Sequence, residues 1–342
     1  MLYNREIVEI KKVSVCIPVF HSENYLDNCL QSLSNQSFRD FEVVIVNDGS
    51  KGIDSKGQSC KNIVSSFSSN NEIKVKYIEY NENKGLLEAR RRAIYESEGE
   101  YILNLDSDDK LSYNALELLY NKAIETEADI VHGKGELFWV NNEGNREEPK
   151  IDVFEQKKIK IQKVSNVYHG TLENSKILDG FLVDKNHNGF LWGKLFRRTL
   201  YLEAFSKIPT MFCTMAEDVM QYFWLSYFAK KYVGIDKVVY FYCDNTGVTS
   251  SKVIDSIEKW EHVCSVASVF NGIFNTLSEE EIKLSESQLQ RISALSYRYV
   301  ANNIDQLNRA VISELKGQAY NILCDYWGED VVLKVEKEME ER

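Results

Sequence analysis

At 342 residues, with 44% apolar and 27% charged side chains, the chain suits a domain of about 250 residues plus an appendage, and pervasive disorder is excluded. Its formal net charge of −11 argues against broad binding to nucleic acid, whose phosphates attract basic surfaces. Cysteines at 16, 29, 60, 213, 243, 264 and 324 are odd in number and contain no C-x-x-C pair, which speaks against a disulfide framework or a structural zinc site and predicts reduced thiols.

The first twelve residues carry Arg5, Glu6 and Glu9 without an apolar core, so no secretory signal is expected. No run reaches about 18 uninterrupted apolar residues, so no membrane span is expected either. The expected location is the cytoplasm, including the inner face of the plasma membrane.

VSVCIPVF (13–20) reads as a buried strand, and YLDNCLQSL (25–33) has helical apolar spacing. FEVVIVND (41–48) is a second strand, 54–68 a short polar helix, VKYIEY (75–80) a third strand, 84–97 a helix and EYILNLD (100–106) a fourth strand. Strands alternating with helices predict parallel βαβ units, whose ligands gather beyond the carboxyl ends of the strands. Further on, 115–124 is helical and ADIVHG (128–133) a strand, with a turn at 139–145 around NNEG. Residues 146–165 look irregular, 171–183 and 199–206 helical, 215–230 a buried helix and 232–243 a strand. Beyond Ser250 the texture is helical at 255–275, 279–310 and 313–340, which sets a domain boundary near 250.

LDSDD (105–109) ends a strand with Asp106, Asp108 and Asp109 crowded together. Such carboxylates repel unless a cation sits among them, and hard Mg²⁺ or Mn²⁺ shared with a diphosphate would serve; an Asp-rich turn with a helix cap is the structural alternative. VNDGS (46–50) is either a tight turn or a site where Asp48 accepts from a nucleobase N–H. In NENKGLLEARRRA (81–93), Lys84 and Gly85 open a helix carrying Arg90, Arg91 and Arg92. A helix start beside a cation suits phosphate, although three consecutive arginines cannot share one face and a solvated basic helix would look the same. In TMAED (214–218), Thr214 and Glu217 have capping-box spacing, and Asp218 is either a dipole-favoured acid or a base. No metal-ligand spacing links the histidines; His187 or His262 could add a third metal ligand, but each also reads as an ordinary surface histidine. No GxSxG elbow or P-loop is present.

Taken in order, VSVCIPVF, SFRDFEVVIVNDGS, NKGLLEARRRAI and GEYILNLDSDD resemble the inverting glycosyltransferase family 2, with further points at GFLWGKLFRRTL (189–200) and AEDVMQYF (216–223). The resemblance implies a GT-A fold, an α/β Rossmann-like mixed and mainly parallel sheet flanked by helices. It implies a catalytic domain over 1–250, with a nucleotide-sugar half (1–110) and an acceptor half (111–250), followed by a helical region over 251–342. Pro18, Phe20, Glu23, Asp48, Lys84, Arg90 and Asp106 would bind the nucleotide-sugar, usually through uracil at Asp48. Asp108 and Asp106 would hold Mn²⁺ or Mg²⁺, Asp218 would be the general base, and Trp192, Lys194 and Glu217 would lie on the acceptor side. Trp192 either stacks on a sugar or packs in the core. Two departures stand out: Arg91 where the family commonly has Asn, and Cys243 where many relatives carry Arg.

The implied reaction transfers a sugar, typically from a UDP-sugar, to a glycan or lipid-linked acceptor in surface-glycan assembly. One rival is a nucleotidyltransferase making nucleotide-sugars, but PVFHSENY lacks its Gly-rich basic loop. Another is a non-catalytic nucleotide- or glycan-binding protein on the same fold, which the intact D-x-D and Asp218 oppose. The C-terminal aromatics Trp260, Phe270, Phe274, Tyr297, Tyr299, Tyr320, Tyr326 and Trp327 are expected to pack on the catalytic domain or a second subunit, with peripheral membrane docking as the alternative.

Overall fold

Buried β-branched runs form the sheet that carries the site. The computed structural model describes residues 11–140, 146–147, 156–244 and 253–341. Four strands, β1 (Val13–Val19), β2 (Phe41–Asn47), β3 (Lys74–Glu79) and β4 (Tyr101–Asn104), pair in parallel in the order β3-β2-β1-β4. Side chains alternate across this sheet. Cys16, Val44 and Ile102 join one apolar layer, while Val15, Ile17, Val43, Ile45 and Leu103 join the other. Three connecting helices follow β1, β2 and β3: α1 (Glu23–Ser34), α2 (Cys60–Asn70) and α3 (Leu86–Glu96).

After β5 (Lys110–Leu111) and α4 (Ala115–Thr126) the sheet becomes mixed. Strand β9 (Lys194–Arg197) inserts antiparallel between β4 and β6 (Ile130–Val140), and β10 (Lys231–Cys243) runs parallel to β6. The short β7 (Arg146–Glu147) and β8 (Gly170–Glu173) pair antiparallel to β6 and β10. Helices α5 (Lys158–Val164), α6 (Ser175–Leu182), α7 (Arg198–Ser206) and α8 (Glu217–Phe228) cover this half. The sheet is mixed and flanked by helices, as the GT-A expectation required.

Local chemistry moves several boundaries. The helix predicted from 54 starts at Cys60, because Asp54 Oδ1 accepts from the amides of Lys56 and Gln58 in a tight turn and Ser59 then caps the helix. The helix predicted over 171–183 begins as β8 and turns at Asn174. Part of the turn predicted at 139–145 and the boundary near 250 lie outside the described residues.

The C-terminal region folds as α9 (Ile257–Cys264), α10 (Val266–Glu279), α11 (Glu286–Arg309), α12 (Lys316–Trp327) and α13 (Glu329–Glu340). The span predicted as one helix over 313–340 breaks at Gly328, whose φ of 85° suits glycine. Trp260, Phe270 and Trp327 are buried, with the indole N–H groups of Trp260 and Trp327 donating to the Ala319 carbonyl and to Asn303 Oδ1. These three therefore pack inward and cannot dock on a membrane. Gln288 reaches Asp179 on α6 at 2.8 Å, which pins α11 to the catalytic half. Among the described residues no helix is long and apolar enough to cross a membrane.

Candidate functional site

The carboxyl ends of β1, β2 and β4 open into a cavity of about 570 Å³. Pro18 and Phe20 come from the end of β1, Asp48 from β2, and Asp106 and Asp108 from β4. Tyr25 adds a wall from α1, and the C-terminal region adds Lys259 and His262 from α9 and Gln306 from α11. Sequence reading missed Tyr25, Lys259 and Gln306: an amphipathic helix does not reveal which polar residue it will present to a distant strand end.

Asp48 holds its place by accepting the backbone N–H groups of Lys84 at 2.8 Å and Gly85 at 3.0 Å. Its carboxylate thereby satisfies the start of α3, and burial raises its pKa against those hydrogen bonds. Gly49 at φ 78° makes the turn possible, since a Cβ there would lie 2.5 Å from the Glu82 carbonyl carbon. The Asp48-Gly49 pair is thus both a turn and a cavity wall.

Arg90, 4% exposed, donates through Nη2 to Asp106 Oδ1 at 2.7 Å and through Nη1 to Glu217 Oε1 at 2.6 Å. It ties the D-x-D to the start of α8. The neighbouring arginines do other work. Arg91 lies over the Phe205 ring and bonds the carbonyls of Ile208 and Pro209, whereas Arg92 pairs with Glu96 near the surface. Asp109 accepts Tyr240 O–H and the Cys243 N–H, both at 2.6 Å, so it braces the loop against β10. Burial and its neighbours Asp108 and Asp106 hold the Asp109 carboxyl well above the usual range.

A second cavity, of about 500 Å³, lies on the other side of the Glu217-Asp218 corner. Asp218 is on its wall, with Phe181, His187 and Phe190 from the α6–β9 connection and Tyr299 from α11. Burial and the adjacent Glu217 push the Asp218 carboxyl up to about 7, against the opposing pull of Arg90. Successive residues at the start of α8 thus serve different sides: Glu217 faces Arg90 and Asp106, and Asp218 faces the second cavity.

Several expected roles change. Glu217 forms no capping box with Thr214; Ala216 in left-handed backbone precedes α8, and Glu217 is spent on Arg90. Trp192 is 4% exposed and stacked on Phe190 at 4.6 Å and Tyr240 at 4.7 Å, so it is core packing. Lys194 is fully buried beneath the second cavity, where it donates to Asn188 Oδ1 and the Phe190 carbonyl and lies over Tyr222. Burial pushes its amine well below the usual range, so it supports the wall and does not meet a ligand directly. The Lys84 ammonium lies over Tyr80 on the exposed side, and only its backbone N–H meets Asp48. Glu23 is buried off the cavity wall and hydrogen-bonded by Ser50. His187 is buried rather than superficial, and its cavity is not that of Asp108.

The donor set in the first cavity fits a hard divalent cation. Asp106 and Asp108 share its wall with His262, and Arg90 takes only one Asp106 oxygen. Among the described residues no three His, Cys, Asp or Glu side chains are placed to hold a metal ion together, so His262 does not complete a set with the two aspartates. Two carboxylates on an open wall match an ion completed by substrate phosphate oxygens.

A family model described as Glycosyl transferase family 2 matches residues 14–216. The glycosyltransferase GlyA of Streptococcus pneumoniae is 39% identical over 122 residues, 36% of this chain and 16% of that protein's length. The chain therefore spans only a small part of that relative. Among solved structures, TarS residues 1–349 of S. aureus in complex with UDP-GlcNAc is 20% identical, covering 96% of this chain and 92% of that one at a TM-score of 0.52. The mannosyltransferase PcManGT of Pyrobaculum calidifontis, in complex with GDP-Man and Mn²⁺, is 13% identical, covering 97% and 81% at a TM-score of 0.56. These two likenesses establish the fold.

Proposed function

The chain belongs to glycosyl transferase family 2, and from that premise we propose that it moves a sugar from a nucleotide-sugar, a UDP-sugar in the first instance, to a hydroxyl of a glycan or lipid-linked glycan with inversion. The observation that carries this reading is a pair of cavities flanking the start of α8: Asp106 and Asp108 line the first together with Thr214 and Met215, and Asp218 and Val219 line the second. A donor in the first and an acceptor in the second would bring the reacting atoms together at the Glu217-Asp218 corner.

Pro18, Phe20 and Asp48 would hold the nucleoside, and Tyr25, Lys259 and Gln306 would close over the donor. Asp108, with Asp106, would hold Mn²⁺ or Mg²⁺, which when bound offsets charge on the departing diphosphate. Asp218 takes the proton of the acceptor hydroxyl as that oxygen bonds to the anomeric carbon. The bond from that carbon to the diphosphate breaks on the opposite face, the nucleoside diphosphate leaves, and one displacement inverts the centre. Arg90 orients Asp106 and, through Glu217, the start of α8. Residues 1–250 form the proposed catalytic unit, and 251–342 the helical region that completes both cavities.

The test is a donor screen: purified protein, Mn²⁺, and UDP-, GDP- and dTDP-sugars, with released nucleotide read with and without EDTA. Metal-dependent release from one sugar supports the reading. Absence of both release and UDP binding in Mn²⁺ would sink it in favour of a binding protein on the same fold.

A further inference from the structure

The second cavity carries an unusual charge for so acidic a chain. Besides Asp218, its charged lining residues are Lys163 at the end of α5, Lys185 after α6, and Arg291 and Arg298 on α11. All four side chains are exposed, and among the described residues none pairs with a carboxylate. Elsewhere Lys74, Lys76, Arg92, Arg197 and Lys259 each face an acid, and exposed lysines with no ion pair among the described residues, such as Lys51, Lys61 and Lys237, lie outside this cavity, so it is the gathering of four cations around it that sets it apart. With 52 acidic and 41 basic residues in the chain, four cations around one concavity, without an ion pair among the described residues, outnumber its single carboxylate, Asp218, and leave a local positive field where the whole molecule is negative.

The spacing is consistent with one site. Arg291 and Arg298 are seven residues apart, two turns along the same helix face. They line the same cavity as Lys163 and Lys185, and Phe181, Phe190 and Leu295 add apolar surface to its wall. Buried His187 bonds Asn186 through Nδ1, and its Nε2 has no partner. Guanidinium groups suit the paired oxygens of phosphate and carboxylate.

Resting on the glycosyl-transfer reading, we propose that the acceptor is an anionic glycan, whose phosphodiester or carboxylate groups are held by Arg291, Arg298, Lys163 and Lys185 while one hydroxyl reaches Asp218. The donor cavity needs no such acceptor, so the cations serve acceptor choice.

The test measures binding of three oligomers of matched length to the full chain with UDP and Mn²⁺: glycerol phosphate, galacturonate and neutral glucan. At least one polyanion should bind at least tenfold more tightly than the glucan, weakening as salt rises. The Arg291→Gln/Arg298→Gln double variant should lose about tenfold per arginine with its melting temperature unchanged. Arg309→Gln/Lys334→Gln, which removes equal charge outside the cavity, should bind as the unaltered protein does. Binding of glycerol phosphate alone identifies a phosphodiester acceptor, and binding of galacturonate alone a uronate acceptor. Polyanions binding no better than glucan, or equal losses in both double variants, would overturn the proposal. Donor hydrolysis by the unaltered protein is read separately, so failure of glycosyl transfer is distinguishable from failure of anion selection.

Discussion

Arg90 and Glu217 are 127 residues apart in the chain, yet their side chains meet at 2.6 Å with both residues buried. The same guanidinium holds Asp106. One side chain therefore couples the strand end facing the first cavity to the helix start facing the second.

Removing that cation should leave Glu217 buried and unpaired. Arg90→Met is expected to cost about 3 kcal/mol or more in urea unfolding. The Arg90→Met/Glu217→Gln pair should be less destabilised than the sum of its single variants, because the stranded charge is gone. Additive losses would show that the two residues do not interact as described.

Asp218→Asn should lower kcat for transfer by about 10²–10⁴-fold with a small change in donor KM. In its proposed role as the base it would work only when ionised, so activity should rise with pH through about 7, the value to which burial and Glu217 push this carboxyl. Stability moves the other way. Its folded pKa lies above the ordinary 3.8, so the folded state holds its proton more tightly, and stability falls as pH climbs from about 4 through 7. Asp218→Asn should thus gain on the native protein at pH 8 and lose that advantage near pH 4. A pH-independent stability difference would contradict this assignment.

Asp108→Ala should abolish the Mn²⁺ dependence of UDP binding and reduce donor hydrolysis by about 100-fold or more. Titration calorimetry with and without EDTA checks the first effect. Unchanged metal dependence would move the cation away from Asp108.

Trp192 separates packing from recognition. Because its ring is stacked on Phe190 and Tyr240, Trp192→Ala should cost about 3–5 kcal/mol without a selective rise in acceptor KM. Acceptor KM rising in a protein of undiminished stability would restore the sugar-stacking role.

Much of this was legible in the order of residues alone. The β-branched runs of 13–19 and 41–47 must be buried on both faces, so parallel pairing followed, and with it the strand ends where Pro18, Asp48 and Asp106 lie. Apolar periodicity and strand-end chemistry are local properties, and a sequence displays them directly. Local spacing misled at Glu217, where a capping motif found a tertiary partner instead, and it left Trp192 open between sugar stacking and the core packing it has. Only the fold decided that Arg90, which the resemblance singles out for the nucleotide-sugar, spends its guanidinium on Asp106 and Glu217, that β9 inserts between β4 and β6, and that α11 lends residues to two cavities. Those outcomes depend on which helix faces meet after long stretches of chain have closed, and no short window of sequence contains both partners of such a contact.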